Sequence, residues 1–262
     1  MIARSIFQRI VPGKIQLYIY RLCVSVNLLS KLVRIKVYSH PRSGTHFLEA
    51  FLGRNFYPKD NLFLDGYQWG HWSNRQINLK GNPYQKLFGH HHFPSEIEKK
   101  TKQPMIYIFR DPRAVAYSIW KTDNFVNVMN RGISFSDFLQ LKLDWLGTPG
   151  IKSEPKWTIA EHWYHHVQAW HQLTNQNLLI IRYEDLKDNP EEIYNLILKK
   201  FFPFKNYLIE KKILAKNEID PISKPLGLLP NAALKDAWKE AFTSEDEQYF
   251  LEQIPDRRYL KI

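Results

Sequence analysis

Five consecutive apolar residues, Met105-Ile106-Tyr107-Ile108-Phe109, run straight into Arg110-Asp111-Pro112. A run this short and unbroken predicts a strand covered on both faces, because a strand with one wet face would alternate. The Arg-Asp-Pro segment predicts a helix start, with Asp111 as N-cap and Pro112 at the first helical position. The same order occurs twice more. Ile35 to Ser39 leads through a turn holding Pro41 and Gly44 into a helix whose apolar face begins at Phe47, Leu48, Phe51 and Leu52. Leu178 to Ile181 leads through Arg182-Tyr183-Glu184-Asp185 to a helix start at Asn189-Pro190-Glu191-Glu192, with an N-cap, a proline and first-turn acids. Lys86 to Phe93 predicts a further strand ended by Pro94. Phe135 to Trp145, Trp157 to Leu173, Leu234 to Phe242 and Ser244 to Gln253 predict helices, and Trp163, Val167 and Trp170 share one face. Strands that alternate with helices predict an α/β fold, a single domain with a central parallel sheet flanked by helices.

In such a fold, ligands bind beyond the carboxyl ends of the strands. There the chain carries Arg42, Ser43 and Thr45, then Arg110, then Tyr183. A strand that stops at a Pro/Gly turn and feeds a helix aims several unpaired N–H groups, reinforced by the helix dipole, at one anion. Arg110 and Ser118, two helical turns apart, can face one side and hold a second anion. Two cationic points suit a ligand with two phosphate-like groups. The net charge of +11 over 262 residues agrees with an anionic partner.

Several classes are set aside on residues alone. One cysteine, Cys23, excludes an intrachain disulfide, and no Cys/His spacing fits structural zinc. His90, His91 and His92 are adjacent, and on a strand neighbours point to opposite faces, so no metal site is expected. A P-loop kinase needs Gly-x-x-x-x-Gly-Lys-Ser/Thr, which His40 to Thr45 lacks. No nucleic-acid motif is present, so no nucleic-acid partner is expected. Residues 1–33 are basic and partly apolar; the uncharged run from Leu22 to Ser30 is too short to span a bilayer. They predict a helical segment packed on a domain over residues 34–262, with peripheral contact to an anionic membrane as the other use of that face. A cytoplasmic location is the expectation.

Four separated segments resemble the sulfotransferase family that uses 3′-phosphoadenosine 5′-phosphosulfate (PAPS). His40-Pro41-Arg42-Ser43-Gly44-Thr45-His46-Phe47 is similar to its 5′-phosphosulfate loop, Pro-Lys-Ser-Gly-Thr-Thr-Trp. Arg110-Asp111-Pro112-Arg113-Ala114-Val115-Ala116-Tyr117-Ser118 resembles its 3′-phosphate motif, with the Arg-to-Ser spacing kept. His162 to Trp170 is similar to its Gly-Ser-Trp-Tyr-Glu-His-Val-x-x-Trp-Trp helix, and Tyr183-Glu184-Asp185-Leu186-Lys187-Asp188-Asn189-Pro190 to its Tyr-Glu-Asp-Leu-Lys-x-x-Pro.

The resemblance implies a P-loop-like sulfotransferase fold and sulfuryl transfer from PAPS, without metal, to an acceptor hydroxyl. It implies that Arg42, Ser43, Gly44, Thr45 and His46 hold the 5′-phosphosulfate and that Arg110 and Ser118 hold the 3′-phosphate. Phe47 would stack on adenine, with Tyr183 near the same ring. Gly89-His90-His91-His92-Phe93-Pro94 resembles Lys-Thr-His-Leu-Pro, which maps the general base onto His92. Arg42 would stabilise charge on the leaving phosphate. The motif lysine becomes His90. The C-terminal Arg-Lys-Gly-x-x-Gly is missing, matched near its place only by Trp238-Lys239 and Phe242-Thr243, with Lys235 or Lys224 as candidate substitutes. Arginine in the loop also occurs among carbohydrate sulfotransferases, so the expected acceptor is a glycan or glycolipid, met by aromatic residues such as Tyr67, Trp69 and Trp72. A phenol or alcohol acceptor, and an inactive nucleotide-binding or anion-binding protein, are the alternatives.

Overall fold

A computed structural model of the chain describes residues 35–56, 87–122, 132–142, 156–202 and 238–260. Three strands, β1 (Lys36–Ser39), β2 (Met105–Phe109) and β3 (Leu178–Arg182), form a parallel sheet in the order β1-β2-β3. Every residue of β2 is buried, as expected for a central parallel strand. The side chains of β2 alternate between two cores. Ile106 and Ile108 join Val37, Leu48, Phe51 and Ile181 on one side. Met105, Tyr107 and Phe109 join Tyr38, Val115, Trp163 and Trp170 on the other.

Helices cover both faces. Helix α1 (Thr45–Phe56) follows β1, and the short α2 (Glu96–Lys100) precedes β2. Helix α3 (Pro112–Thr122) follows β2, then α4 (Phe135–Gln140) and α5 (Ile159–Gln172). After β3 come α6 (Tyr183–Asp188) and α7 (Pro190–Phe201), and α8 (Ser244–Glu252) lies near the C-terminus. Helices α1, α6 and α7 pack on the first core, and α3, α4, α5 and α8 on the second. On α5, Trp163, Val167 and Trp170 are wholly buried.

Local chemistry fixes most helix starts. Asp111 accepts from Arg113 N–H at 2.9 Å with its carboxylate and from Val115 N–H at 3.0 Å with its carbonyl, which is the capping role expected of it. Thr158 and Glu161 form a reciprocal capping box on α5.

Four sequence expectations are corrected. The stretch 86–93 is not a full strand: Phe88 makes a single parallel bridge to Val37, and the chain then turns. Helix α4 stops at Gln140 rather than Trp145, because Leu141 is extended and its N–H turns back to Phe138 O at 3.2 Å. The first helix after β3 begins at Tyr183, directly after Arg182, and not at Asn189. Asn189 stands at the start of α7 but makes no side-chain capping bond. The aromatic stretch Tyr67 to Trp72, residues 1–33, Lys224 and Lys235 lie outside the described residues.

The pairing register aligns the strand ends: Ser39 faces Ile108, Ile108 faces Ile181, and Phe109 faces Arg182. The turns leaving the three strands therefore open onto one edge of the sheet, which is where the polar residues gather.

Candidate active site

The turn after β1 is made by two residues with positive φ, Arg42 at 64° and Gly44 at 89°. Gly44 has a second constraint. A Cβ there would stand 2.2 Å from Tyr183 Cδ2, so the ring of Tyr183 fills the space that any side chain would need. This contact fastens the turn after β1 to the end of β3. The following helix, α1, has no acidic side chain in its first turn, so its positive end faces the turn uncompensated.

Inside the turn, Ser43 is wholly buried and its Oγ has no hydrogen-bond partner among the described residues. A buried hydroxyl left that way costs free energy unless something fills the place. Thr45 Oγ1 lies 2.7 Å from Ser39 Oγ. Arg42 Nε donates to Ser118 Oγ at 2.9 Å. Burial, and then the nearby charge of Arg110, lower the Arg42 guanidinium to about 10, which leaves it cationic at neutral pH.

Ser118, expected beside Arg110, is brought to Arg42 instead. Arg110 lies over the Tyr183 ring at 4.8 Å. The carboxylates near it are taken: Asp111 by Arg113 at 2.7 Å, and Glu184 by Asp111 N–H at 3.1 Å, with Arg182 at 3.8 Å. Arg113 also pairs with Glu247 and lies 4.3 Å over the Trp238 ring, which ties the segment in place of the missing C-terminal motif to the start of α3. Phe47 and Tyr183 meet edge to face at 5.5 Å. Tyr183 is only 6% exposed, covered by Gly44, Phe47 and Arg110. His46 stands in the first turn of α1 with Nδ1 3.3 Å from the carboxylate of Glu49. Burial pushes Glu49 well above the usual carboxylate range, with Lys36 opposing.

The three adjacent histidines diverge. His91 turns to β1, where its Nδ1 lies 2.8 Å from Ser39 O and 3.1 Å from Ser39 Oγ; burial lowers it to about 4. His90 stacks on His92 at 4.7 Å. Both nitrogens of His90 are engaged, Nε2 with Glu98 at 3.2 Å and Nδ1 with His92 N–H at 3.1 Å. His92 is half-buried, and its Nδ1 has no hydrogen-bond partner among the described residues. Burial and the neighbouring His90 lower its pKa, with Glu98 opposing. Among the described residues no group of three His, Cys, Asp or Glu side chains could hold a metal ion.

Sequence reasoning missed the residues behind this edge. His166 accepts from Tyr107 OH at 2.8 Å on Nδ1, and its Nε2–H points at the carbonyls of His91 and His92, at 3.2 and 3.1 Å. Trp170 Nε1 also donates to His92 O at 3.1 Å. His40 bonds to His162 at 2.9 Å. Only the run His162 to Trp170 could have signalled them, and it reads first as a buried helix face.

Fold and site together define a parallel α/β protein with two guanidinium groups and a buried serine converging at the strand ends. The sulfotransferase domain model matches residues 34–201, and the chain belongs to the sulfotransferase family, PAPS-dependent enzymes that move a sulfuryl group to an acceptor. An amine sulfotransferase of Oryctolagus cuniculus is 25% identical over 271 residues, covering 88% of this chain and 84% of the relative. Two solved structures share the fold at a TM-score of 0.50 and 18% identity. Mouse sulfotransferase SULT7A1 complexed with PAP covers 87% of this chain and 86% of its own. Retinol dehydratase in complex with androsterone and PAP covers 88% of this chain and 82% of its own. The expected fold class, enzyme type and donor agree with these findings.

Proposed function

We propose that this enzyme sulfates a small apolar molecule through a hydroxyl or amine, with His92 as general base. The observation that carries the site assignment is the convergence of Arg42, Arg110 and the unpartnered Ser43 hydroxyl. The charge of Arg110 bears on the buried Arg42 guanidinium, an anion between the two offsets that repulsion, and PAPS offers two anionic groups. In-line transfer breaks the bond from sulfur to the 5′-phosphate oxygen as the acceptor oxygen or nitrogen bonds to sulfur. Charge grows on the leaving phosphate, where Arg42, the Ser43 hydroxyl and the N–H groups of the turn stabilise it. The acceptor approaches sulfur from the opposite side, so its base need not touch Arg42.

Within the histidine triplet, the hydrogen bonds favour His92. Both nitrogens of His90 are engaged, and His91 is fastened to Ser39, whereas His92 keeps a ring nitrogen for the acceptor proton. For the acceptor, the support for a small molecule is the relatives: one is named for amines, another was solved with androsterone. A glycan or glycolipid acceptor rests on Arg42 in place of lysine and is the second reading. A cytoplasmic enzyme with peripheral membrane contact through residues 1–33 remains our proposal for its location; among the described residues, no helix is long and apolar enough to cross a membrane.

The test is a labelled-PAPS screen with separate pools of phenols and steroids, amines, glycolipids and polysaccharides. Transfer confined to the first two pools supports the small-molecule reading, and transfer confined to the last two overturns it. With an accepted substrate, His92→Ala is expected to lower kcat by about 10²- to 10⁴-fold while adenosine 3′,5′-bisphosphate still binds. Unchanged kcat would move the base away from His92.

A further inference from the structure

Arg42 is the one non-glycine residue with positive φ among the described residues. A side chain in that region costs about 1–2 kcal/mol, so its surroundings must hold it there. The peptide that sets this conformation joins Pro41 to Arg42, and its carbonyl is held from one side. His40 Nδ1 lies 2.9 Å from Pro41 O. A carbonyl only accepts, so Nδ1 carries the proton. His40 has no exposure, and burial takes its pKa down to about 3, so the ring is neutral and Nε2 carries a lone pair. That lone pair meets His162 Nδ1 at 2.9 Å, which must therefore donate.

The order of donors is thus fixed from α5 to the turn: His162 N–H to His40, and His40 N–H to Pro41 O. A lone imidazole is free to carry its proton on Nε2 instead, and His40 in that form would turn a lone pair toward the carbonyl it now holds. The Pro41 carbonyl disfavours that form, and the donor on His162 holds the ring in the other from its far side.

We propose that His162 is a positioning residue for the sulfuryl-transfer site: by donating to Nε2 of His40 it fixes the ring whose Nδ1–H holds the Pro41 carbonyl and, through it, the left-handed backbone that aims Arg42. This rests on the reading of Arg42 as the group that meets the leaving phosphate.

The test uses the full chain with histidine ring nitrogens labelled. Two-bond proton–nitrogen spectra report the protonated nitrogen of His40, assigned by its loss in His40→Phe. Affinity for adenosine 3′,5′-bisphosphate and kcat with an accepted substrate are measured alongside. His40 is expected as Nδ1–H in the unaltered protein. His162→Phe, which keeps a ring and removes the donor to Nε2, is expected to leave His40 as Nδ1–H but less firmly held, and to weaken both nucleotide affinity and kcat about tenfold or more, with acceptor KM within about twofold. His162→Asn, which restores a donor, is expected to recover both. An Nε2–H form in the unaltered protein overturns the proposal, as does unchanged affinity in His162→Phe, or affinity that His162→Asn fails to restore. Should His162→Phe not fold, the unaltered protein and His162→Asn decide: Nδ1–H with near-normal affinity in the Asn variant supports the proposal, and affinity lost as in Arg42→Ala overturns it. Protein that binds the nucleotide but sulfates nothing would sink the catalytic reading alone, since proton position and affinity are read without an acceptor.

Discussion

Arg42 is held where a cation is least at ease: its guanidinium is largely shut away from water, it faces a second arginine, and its backbone is left-handed. The first two raise the free energy of the empty protein and are offset when a dianion arrives, while the backbone strain is the same in both states. Two measurements on Arg42→Ala should therefore move differently. The variant is expected to lose about 10²- to 10³-fold in kcat/KM, while the melting temperature of the nucleotide-free protein stays level or rises. A large fall in that melting temperature would instead make Arg42 a structural residue. Gly44 behaves in the opposite way. Gly44→Ala sets a Cβ against the Tyr183 ring and forces alanine into positive φ, and an unfolding cost of about 1–3 kcal/mol is expected. Adding Tyr183→Leu should return part of that loss, measured as a coupling energy in a double-mutant cycle.

At the scale of elements, the strands and the strand-to-helix turns were legible because their signals are local. Unbroken apolar runs gave β2 and β3, and Asp111-Pro112 gave the start of α3. The stretch 86–93 misled because its hydrogen bonds go elsewhere. The carbonyls of His91 and His92 are taken by side-chain donors of α5, His166 and Trp170, where a strand would offer backbone N–H groups. Gly89 also packs its backbone on the Tyr38 ring, where a Cβ would come within 2.5 Å. Neither partner is near in sequence, so no local pattern announces it. The same holds for the site: the cationic residues could be read from their motifs, but the sharing of Ser118 with Arg42 and the divergence of the three histidines depend on packing. Helix α5 supports much of this, and its start can be tested. Thr158→Ala removes the cap of α5 and a hydrogen bond to Gln253, and is expected to lower stability by about 1 kcal/mol, read as a urea midpoint; Thr158→Ser should restore it.

For the whole molecule, the buried imidazoles tie stability to pH. Burial lowers His40 to about 3 and His91 to about 4, and puts His162 and His166 well below the ordinary value. Unfolded, each titrates near 6.5, so below that pH the unfolded chain binds more protons than the folded one. Stability is then fully present above about pH 6.5 and falls with pH toward the folded values, by about 1.4 kcal/mol per unit for each imidazole. Urea unfolding at pH 7.5, 6.5 and 5.5 checks this. A loss of several kcal/mol between the last two is expected, and a flat profile would mean that the interior tolerates charged histidine.

The contact of Tyr183 with Gly44 also bears on how the protein is made. A chain leaves the ribosome amino terminus first, so the turn that carries Arg42 emerges long before the ring that closes over it. Until β3 has paired with β2, that turn lacks its far wall and Arg110 lacks the aromatic surface it lies on. The donor nucleotide therefore finds no finished seat on a nascent chain, and its stabilising effect reaches only molecules in which synthesis has passed Tyr183 and the sheet has closed.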